Sequence, residues 1–297
     1  MKKAIFSTEI SLLRRTMQRL LRRNAHSNIT KILRKTHQAD VAHIMRTFNQ
    51  FEQKTIFSLC PTALHKARLL EELDEALIEN VLIKESALNI SKIFRYLDTN
   101  DQATIISMFE EDKQNEILTK IEVDDKEEVE EIMSYPDNSA GSIMTKETFT
   151  LNQNTTVKDS IKKLQSFPEN DKIFYLYVLN DKEKLVGVVS LRTLVTSSNN
   201  KKLKDVMIKD IHAANTKTDQ EEVAKTVAQY NYLALPVVNR QNRFLGIVTI
   251  DDVVDIIREE ASEDFLQMAG VGKDREILLK TPFENAKSRA PWILASL

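Results

Sequence analysis

Residues 178–194 read Val-Leu-Asn-Asp-Lys-Glu-Lys-Leu-Val-Gly-Val-Val-Ser-Leu-Arg-Thr-Leu, and residues 237–253 read Val-Val-Asn-Arg-Gln-Asn-Arg-Phe-Leu-Gly-Ile-Val-Thr-Ile-Asp-Asp-Val. At one constant offset Val178 falls on Val237, Gly187 on Gly246 and Ser190 on Thr249. Each copy predicts an apolar strand, a polar turn, a second strand ending Gly-apolar-apolar-Ser/Thr, and a helix. Upstream the order holds with a slightly larger offset: Ile143-Met144 answers Val206-Met207, and a helix from Thr156 answers one from Asp219. A repeat of this size implies a pseudo-twofold pair sharing a core, with a cleft between the copies. That is a ligand-sensing geometry rather than a catalytic one.

The pattern resembles the CBS-domain pair, through Met144, Tyr177-Val178-Leu179, Gly187-Val188-Val189-Ser190, Met207, Leu235-Pro236-Val237-Val238 and Gly246-Ile247-Val248-Thr249-Ile250-Asp251-Asp252. Further stretches resemble MgtE-type magnesium channels. These are Tyr135-Pro136-Asp137-Asn138-Ser139-Ala140-Gly141-Ser142-Ile143-Met144-Thr145, Tyr175-Leu176-Tyr177-Val178, Thr218-Asp219-Gln220-Glu221-Glu222-Val223-Ala224 and Glu260-Ala261-Ser262-Glu263-Asp264.

The 297 residues, 42% of them apolar, suffice for two or three domains with real cores. A net charge of −2 gives no global pull toward nucleic acid or anionic lipid. The charge is uneven: residues 1–23 are basic and residues 110–131 strongly acidic. The single Cys60 excludes an intrachain disulfide and fits a reducing compartment. No run of about 18 apolar residues is present, and the amino terminus lacks a signal-peptide pattern. After Lys287 and Arg289, the run Pro291-Trp292-Ile293-Leu294-Ala295-Ser296-Leu297 reads either as a frayed apolar tail or as the start of a first membrane helix. The resemblance favours the second.

Ile10, Leu12, Leu13, Met17, Leu20 and Leu21 alternate with arginines, giving a basic amphipathic helix that is either solvated or set against lipid headgroups or an acidic surface. Residues 30–134 carry helical periods with almost no strand signal, which predicts a compact array of short helices. Thr99 through Gln102 read as a capping box. The expected fold is therefore α+β and multidomain. A basic leader occupies 1–28, an all-helical array or superhelix 29–136, tandem CBS domains 137–203 and 204–262, and a connecting helix 263–297.

Carboxylates dominate the second repeat. Asp219 and Glu221 open a helix, where negative charge suits the dipole. Asp251-Asp252 begin another helix, and Glu260, Glu263 and Asp264 share one of its faces near its end, repelling each other. The cluster is either a solvated acidic face or a site for a hard divalent cation. The resemblance implies the second, with Mg2+ as the ion. It places magnesium-sensing carboxylates at Asp219, Glu221, Asp252, Glu260, Glu263 and Asp264 and a ligating carbonyl at Ala228. It leaves Asp101 as the nearest acid where two family aspartates correspond to Asn100 and Thr104. Asn231 replaces another family aspartate, so fewer or weaker ions are expected. In the cleft, the resemblance implies ATP or a related adenine nucleotide, with Tyr175 and Tyr232 stacking on the base and Arg192 meeting phosphate. Thr193 stands where the family has an acidic ribose contact.

No Gly-Lys-Ser/Thr loop, His-Glu-x-x-His or Gly-x-Ser-x-Gly is present, so an enzyme is not expected. Nor is there a basic stripe with aromatics that suits nucleic acid. The expected function is a magnesium-sensing, gate-controlling region of an MgtE-type channel or transporter, at the cytoplasmic face of the cell membrane. Its partners would be a membrane pore domain and a second copy, through Val253, Val254, Ile256 and Ile257. The alternatives are a soluble CBS-pair nucleotide sensor and a structural adaptor.

Overall fold

Eight short helices follow one another with almost constant spacing because the same local grammar recurs. Their N-cap residues are His37, Asn49, Thr62, Asp74, Ser86, Asp98, Glu110 and Glu122, twelve residues apart with a single step of thirteen. The computed structural model describes residues 2–167 and 173–268. In it these helices are α3 (Gln38–Met45), α4 (Gln50–Ser58), α5 (Ala63–Leu70), α6 (Glu75–Leu82), α7 (Ala87–Phe94), α8 (Thr99–Ser107), α9 (Glu111–Leu118) and α10 (Val123–Met133), after α1 (Lys2–Arg22) and α2 (His26–Leu33). Each two-turn helix buries an apolar pair near its end, such as Ile44-Met45, Ile56-Phe57, Leu69-Leu70, Ile93-Phe94 and Ile105-Ile106. Helices this short are marginal alone. They are held by packing of α3 on α5, α5 on α7, α7 on α9, α4 on α6 and α8 on α10.

Side chains stitch the turns. Asn49 and Glu52 form a reciprocal capping box, and Asp74 and Ser86 cap through their own oxygens, each cap worth about 1 kcal/mol. The Gln53 amide donates to the carbonyls of Met45 and Phe48 at 3.1 and 2.9 Å, so it closes the end of the preceding helix. Gln102 does the same for Phe94 and Leu97 at 3.1 and 2.9 Å. This corrects the capping box expected at Thr99: the N-cap is Asp98, Thr99 is already helical and buried, and Gln102 reaches back to the helix before. The basic α1 buries Met17 and packs Ile10, Leu13, Leu20 and Leu21 onto the same core, while Leu12 remains 65% exposed. Its apolar face is thus partnered by the helical array.

Residues 2–135 form one compact unit and those from 136 onward a second. In the second unit, β1 (Thr150–Asn152) runs parallel to β2 (Tyr175–Leu179), which pairs antiparallel with β3 (Leu185–Ser190). Helices α11 (Val157–Gln165), α12 (Leu191–Thr196) and α13 (Leu203–Val206) accompany this sheet. The second copy has β4 (Ala214–Asn215), β5 (Ala234–Val238) and β6 (Phe244–Thr249) in the same order, with α14 (Gln220–Tyr230) and α15 (Ile250–Met268). Both hairpins carry an irregularity at the same place, after Val178 and after Val237.

The copies exchange segments. Thr145, ahead of the first copy, bridges Ile247 of the second, and Ile208, ahead of the second, bridges Val188 of the first. This is why the strand glycines recur. A Cβ on Gly187 would lie 2.3 Å from the Met207 sulfur, and one on Gly246 would lie 2.5 Å from the Thr145 carbonyl oxygen. The hairpin tips also join: Leu185 N–H donates to Asn242 O at 3.2 Å, and Phe244 N–H to Glu183 O at 3.3 Å. Tyr177, Leu185, Ala234, Val238 and Ile247 form the core between the copies, with Tyr177 stacked on Phe244 at 5.0 Å. The connecting helix expected over 263–297 begins as the end of α15; everything after Met268 lies outside the described residues.

Candidate functional site

Asp219 is the N-cap of α14, its Oδ1 accepting from Glu221 N–H at 2.8 Å. This cap fixes Glu221 in the first turn, where it pairs with Lys225 one turn later. Glu260, on α15, accepts from the Gln220 side-chain amide at 2.8 Å. The Glu221 carboxyl is held below its ordinary range by its hydrogen bond and charge attraction to Lys225, with Glu260 adding a smaller effect. The Lys225 ammonium is raised first by Glu221, then with smaller help from Asp219 and Glu260. Of the expected carboxylates, Glu221 alone pairs with Lys225, while Asp219 and Glu260 are held by the backbone and side chain of the same first turn of α14. Among the described residues no group of three or more His, Cys, Asp or Glu is arranged to hold a metal ion.

The other expected ligands lie elsewhere. Asp252 sits at the start of α15, its Oδ2 accepting from Thr249 N–H at 3.2 Å and Thr249 Oγ at 2.6 Å. Eight residues of helix separate it from Glu260, about 12 Å of rise. Asp219 and Glu260 mark one end of the packed α14–α15 pair. Asp252 and Ala228 fall toward the other, where Ile250 N–H donates to Leu233 O at 3.0 Å. The carboxylate set therefore divides into two groups. Asn231 adopts left-handed geometry, φ 53° and ψ 43°, to close α14, and asparagine tolerates that conformation well. Asp101 lies in the first turn of α8, in the other unit. The side chains of Glu263 and Asp264 lie outside the described part of α15.

Of the residues expected at the cleft, Tyr175 opens β2 opposite Ser190. Ser190 caps α12 by accepting from Thr193 N–H at 3.0 Å, its hydroxyl 2.9 Å from that of Thr193. Arg192 is exposed in the first turn of α12, two residues beyond the strand partner of Tyr175. Tyr232 follows the α14 turn, and its phenol is raised by desolvation first, then by Tyr230, Asp210 and Tyr175. Tyr175 adds the smallest of these effects on Tyr232. Sequence reasoning missed two neighbours. His212 stacks on Tyr230 at a centroid distance of 4.2 Å, and its Nδ1 lies 2.7 Å from the Tyr232 hydroxyl. Tyr230 stacks on Tyr232 at 5.5 Å. His212 carried no motif of its own; Tyr230-Asn231-Tyr232 was the available signal.

The chain matches the description "MgtE intracellular N domain" over residues 36–138 and "CBS domain" over 140–199 and 203–259. This chain is an MgtE N domain followed by a CBS pair. It is 33% identical over 279 residues to the magnesium transporter MgtE of Bacillus subtilis, covering 90% of this chain and 61% of that protein. It is 36% identical over 171 residues to that of Enterococcus faecalis, covering 57% and 37%. The chain thus spans about three-fifths or less of the length of these curated relatives. The cytosolic domain of the Mg2+ channel MgtE in complex with ATP matches with a TM-score of 0.76 at 27% identity, covering 82% of this chain and 99% of that one. The soluble part of a magnesium transporter shares the fold, with a TM-score of 0.71 at 22% identity over 85% and 99% of the two chains. The MgtE N domain is the twelve-residue helical array, and the CBS pair is the exchanged repeat. No described helix is long and apolar enough to cross a membrane.

Proposed function

We propose that this chain is the magnesium-sensing regulatory region of an MgtE-type channel or transporter, acting at the cytoplasmic face of the membrane on a pore domain. The observation that carries this reading is the gathering of Asp219, Glu221 and Glu260 at one end of the α14–α15 pair, through the Asp219 cap and the bond from Gln220 to Glu260. An oxygen-rich acidic surface suits Mg2+, a hard cation that takes carboxylate oxygens and keeps several waters, and the Lys225 ammonium is the counter-charge the ion would displace. Asp219, Glu221 and Glu260 are not arranged around an ion as they stand; they would share one only once Lys225 swings out to solvent and their side chains turn toward it. Asp252 and the Ala228 carbonyl would belong to a second position, and Glu263 and Asp264 are further proposed ligands from the sequence. When bound, Mg2+ neutralises carboxylates that otherwise repel one another. The chain's own part is to place those carboxylates on two packed helices, so that neutralisation favours one arrangement of α15. A shift of population by differential affinity then reaches the pore. A second copy is expected to dock on α15 through Val254 and Ile257, 39% and 45% exposed, since Val253 and Ile256 are already buried within the chain.

An adenine nucleotide is the second proposed ligand, on Tyr175, Tyr232 and Arg192. The ATP complex of the 27%-identical neighbour supports it. A soluble CBS-pair nucleotide sensor would use the same cleft without a pore.

Limited proteolysis tests the magnesium reading. MgCl2 should protect the wild-type chain from cleavage. The triple variant Asp219→Asn, Glu221→Gln, Glu260→Gln should lose most of that protection. Equal protection in both would place the sensor elsewhere.

A further inference from the structure

We propose that His212 is a positioning residue of the CBS cleft, holding the Tyr232 ring where an adenine base stacks, and that nucleotide affinity follows the protonation of its imidazole. The proposal rests on the reading that this cleft takes an adenine nucleotide. Three rings meet here: His212 lies nearly parallel to Tyr230 at 4.2 Å and 25°, and Tyr230 nearly parallel to Tyr232 at 5.5 Å and 17°. The His212 Nδ1 to Tyr232 hydroxyl contact of 2.7 Å ties the first ring to the third across the turn that ends α14. A tyrosine tethered at its hydroxyl and stacked on one neighbour loses ring freedom before the ligand arrives, so less ordering is left for binding.

The contact survives protonation, since Nδ1 accepts from the phenol when neutral with that nitrogen bare and donates when charged. What changes is the charge beside an anionic ligand. The groups around the imidazole are Tyr230, the last residue of α14, and Tyr232 just after it, with Asp210, two residues before His212, and Tyr175 on β2 both acting on Tyr232. Of these Asp210 is the one carboxylate, and a charged imidazole offsets it.

The test is calorimetric titration of the full chain with ATP at pH 5.5, 6.5 and 8.0. Wild type should bind about fivefold tighter at the lowest pH than at the highest. His212→Phe keeps a ring against Tyr230 but loses the hydrogen bond. It should bind about two- to tenfold more weakly at pH 6.5 and show no more pH dependence than the phosphates impose. Tyr232→Phe, which removes the hydroxyl alone, should reproduce the loss of tethering while keeping the pH slope. Equal affinity and equal slope in wild type and His212→Phe would overturn the proposal. Absence of ATP binding by wild type at every pH would instead overturn the nucleotide reading beneath it.

Discussion

Single residues fix the exchange between the two CBS copies. Gly246 faces a backbone oxygen, the Thr145 carbonyl, which also accepts from Ile247 N–H at 3.0 Å and so cannot retreat. Gly187 faces the side chain of Met207. Gly246→Ala should therefore cost about 1–3 kcal/mol of stability by overpacking, read as a lower urea midpoint. Met207→Ala should restore part of the loss in Gly187→Ala, whereas Met144→Ala should not rescue Gly246→Ala. Rescue of both alike would show that side-chain crowding, not the carbonyl, is the obstacle at Gly246. Lys225 gives a second prediction at this scale. If it is the counter-charge of the proposed magnesium site, Lys225→Met should bind Mg2+ more tightly than wild type in a calorimetric titration. Weaker binding would mean that the lysine supports the site rather than competing for it.

At the scale of elements, the repeat glycines, the two hairpin strands of each copy and the helical character of residues 30–134 were legible because each is a local pattern with a geometric consequence, whereas the short parallel strands β1 and β4 were not read. The twelve-residue period was not read, although its signal was present. Apolar pairs such as Ile44-Met45, Ile56-Phe57 and Leu69-Leu70 recur at that spacing, but a two-turn helix is too short for periodicity to stand out. The Thr99 capping box failed for a related reason. Asp98 one residue earlier occupies the N-cap position, and the glutamine side chain found better acceptors in the carbonyls of Phe94 and Leu97. At the candidate nucleotide site the resemblance pointed to Tyr175 and Tyr232 but not to His212, since stacking across a turn leaves no spacing rule. The division of the acids between the two ends of the α14–α15 pair needed the packing of the helices. Gln53→Ala and Gln102→Ala, each removing two buried hydrogen bonds to helix-end carbonyls, should each cost about 1–3 kcal/mol. Urea unfolding of the helical unit checks this, and a change below about 0.5 kcal/mol would mean that water replaces the amide.

At the scale of the whole molecule, two units with separate cores serve one proposed response. Cys60 reports on the first. It is 8% exposed, and burial pushes its thiol up to about 12, with Lys66 pulling slightly the other way. A raised thiol value keeps the neutral, unreactive form dominant at pH 8, because thiolate appears only as pH approaches the shifted value. A thiol reagent at pH 8 should label Cys60 slowly in the native chain and promptly in denaturant; prompt native labelling would indicate that the α3–α5 region opens readily. The central claim concerns magnesium. The measurement that tests it most directly is calorimetric titration of the full chain with MgCl2, alongside the Asp219→Asn, Glu221→Gln, Glu260→Gln variant. The account predicts saturable binding in roughly the millimolar range for wild type and its loss or marked weakening in the variant. Absence of saturable binding by wild type, or identical binding by both, would contradict it.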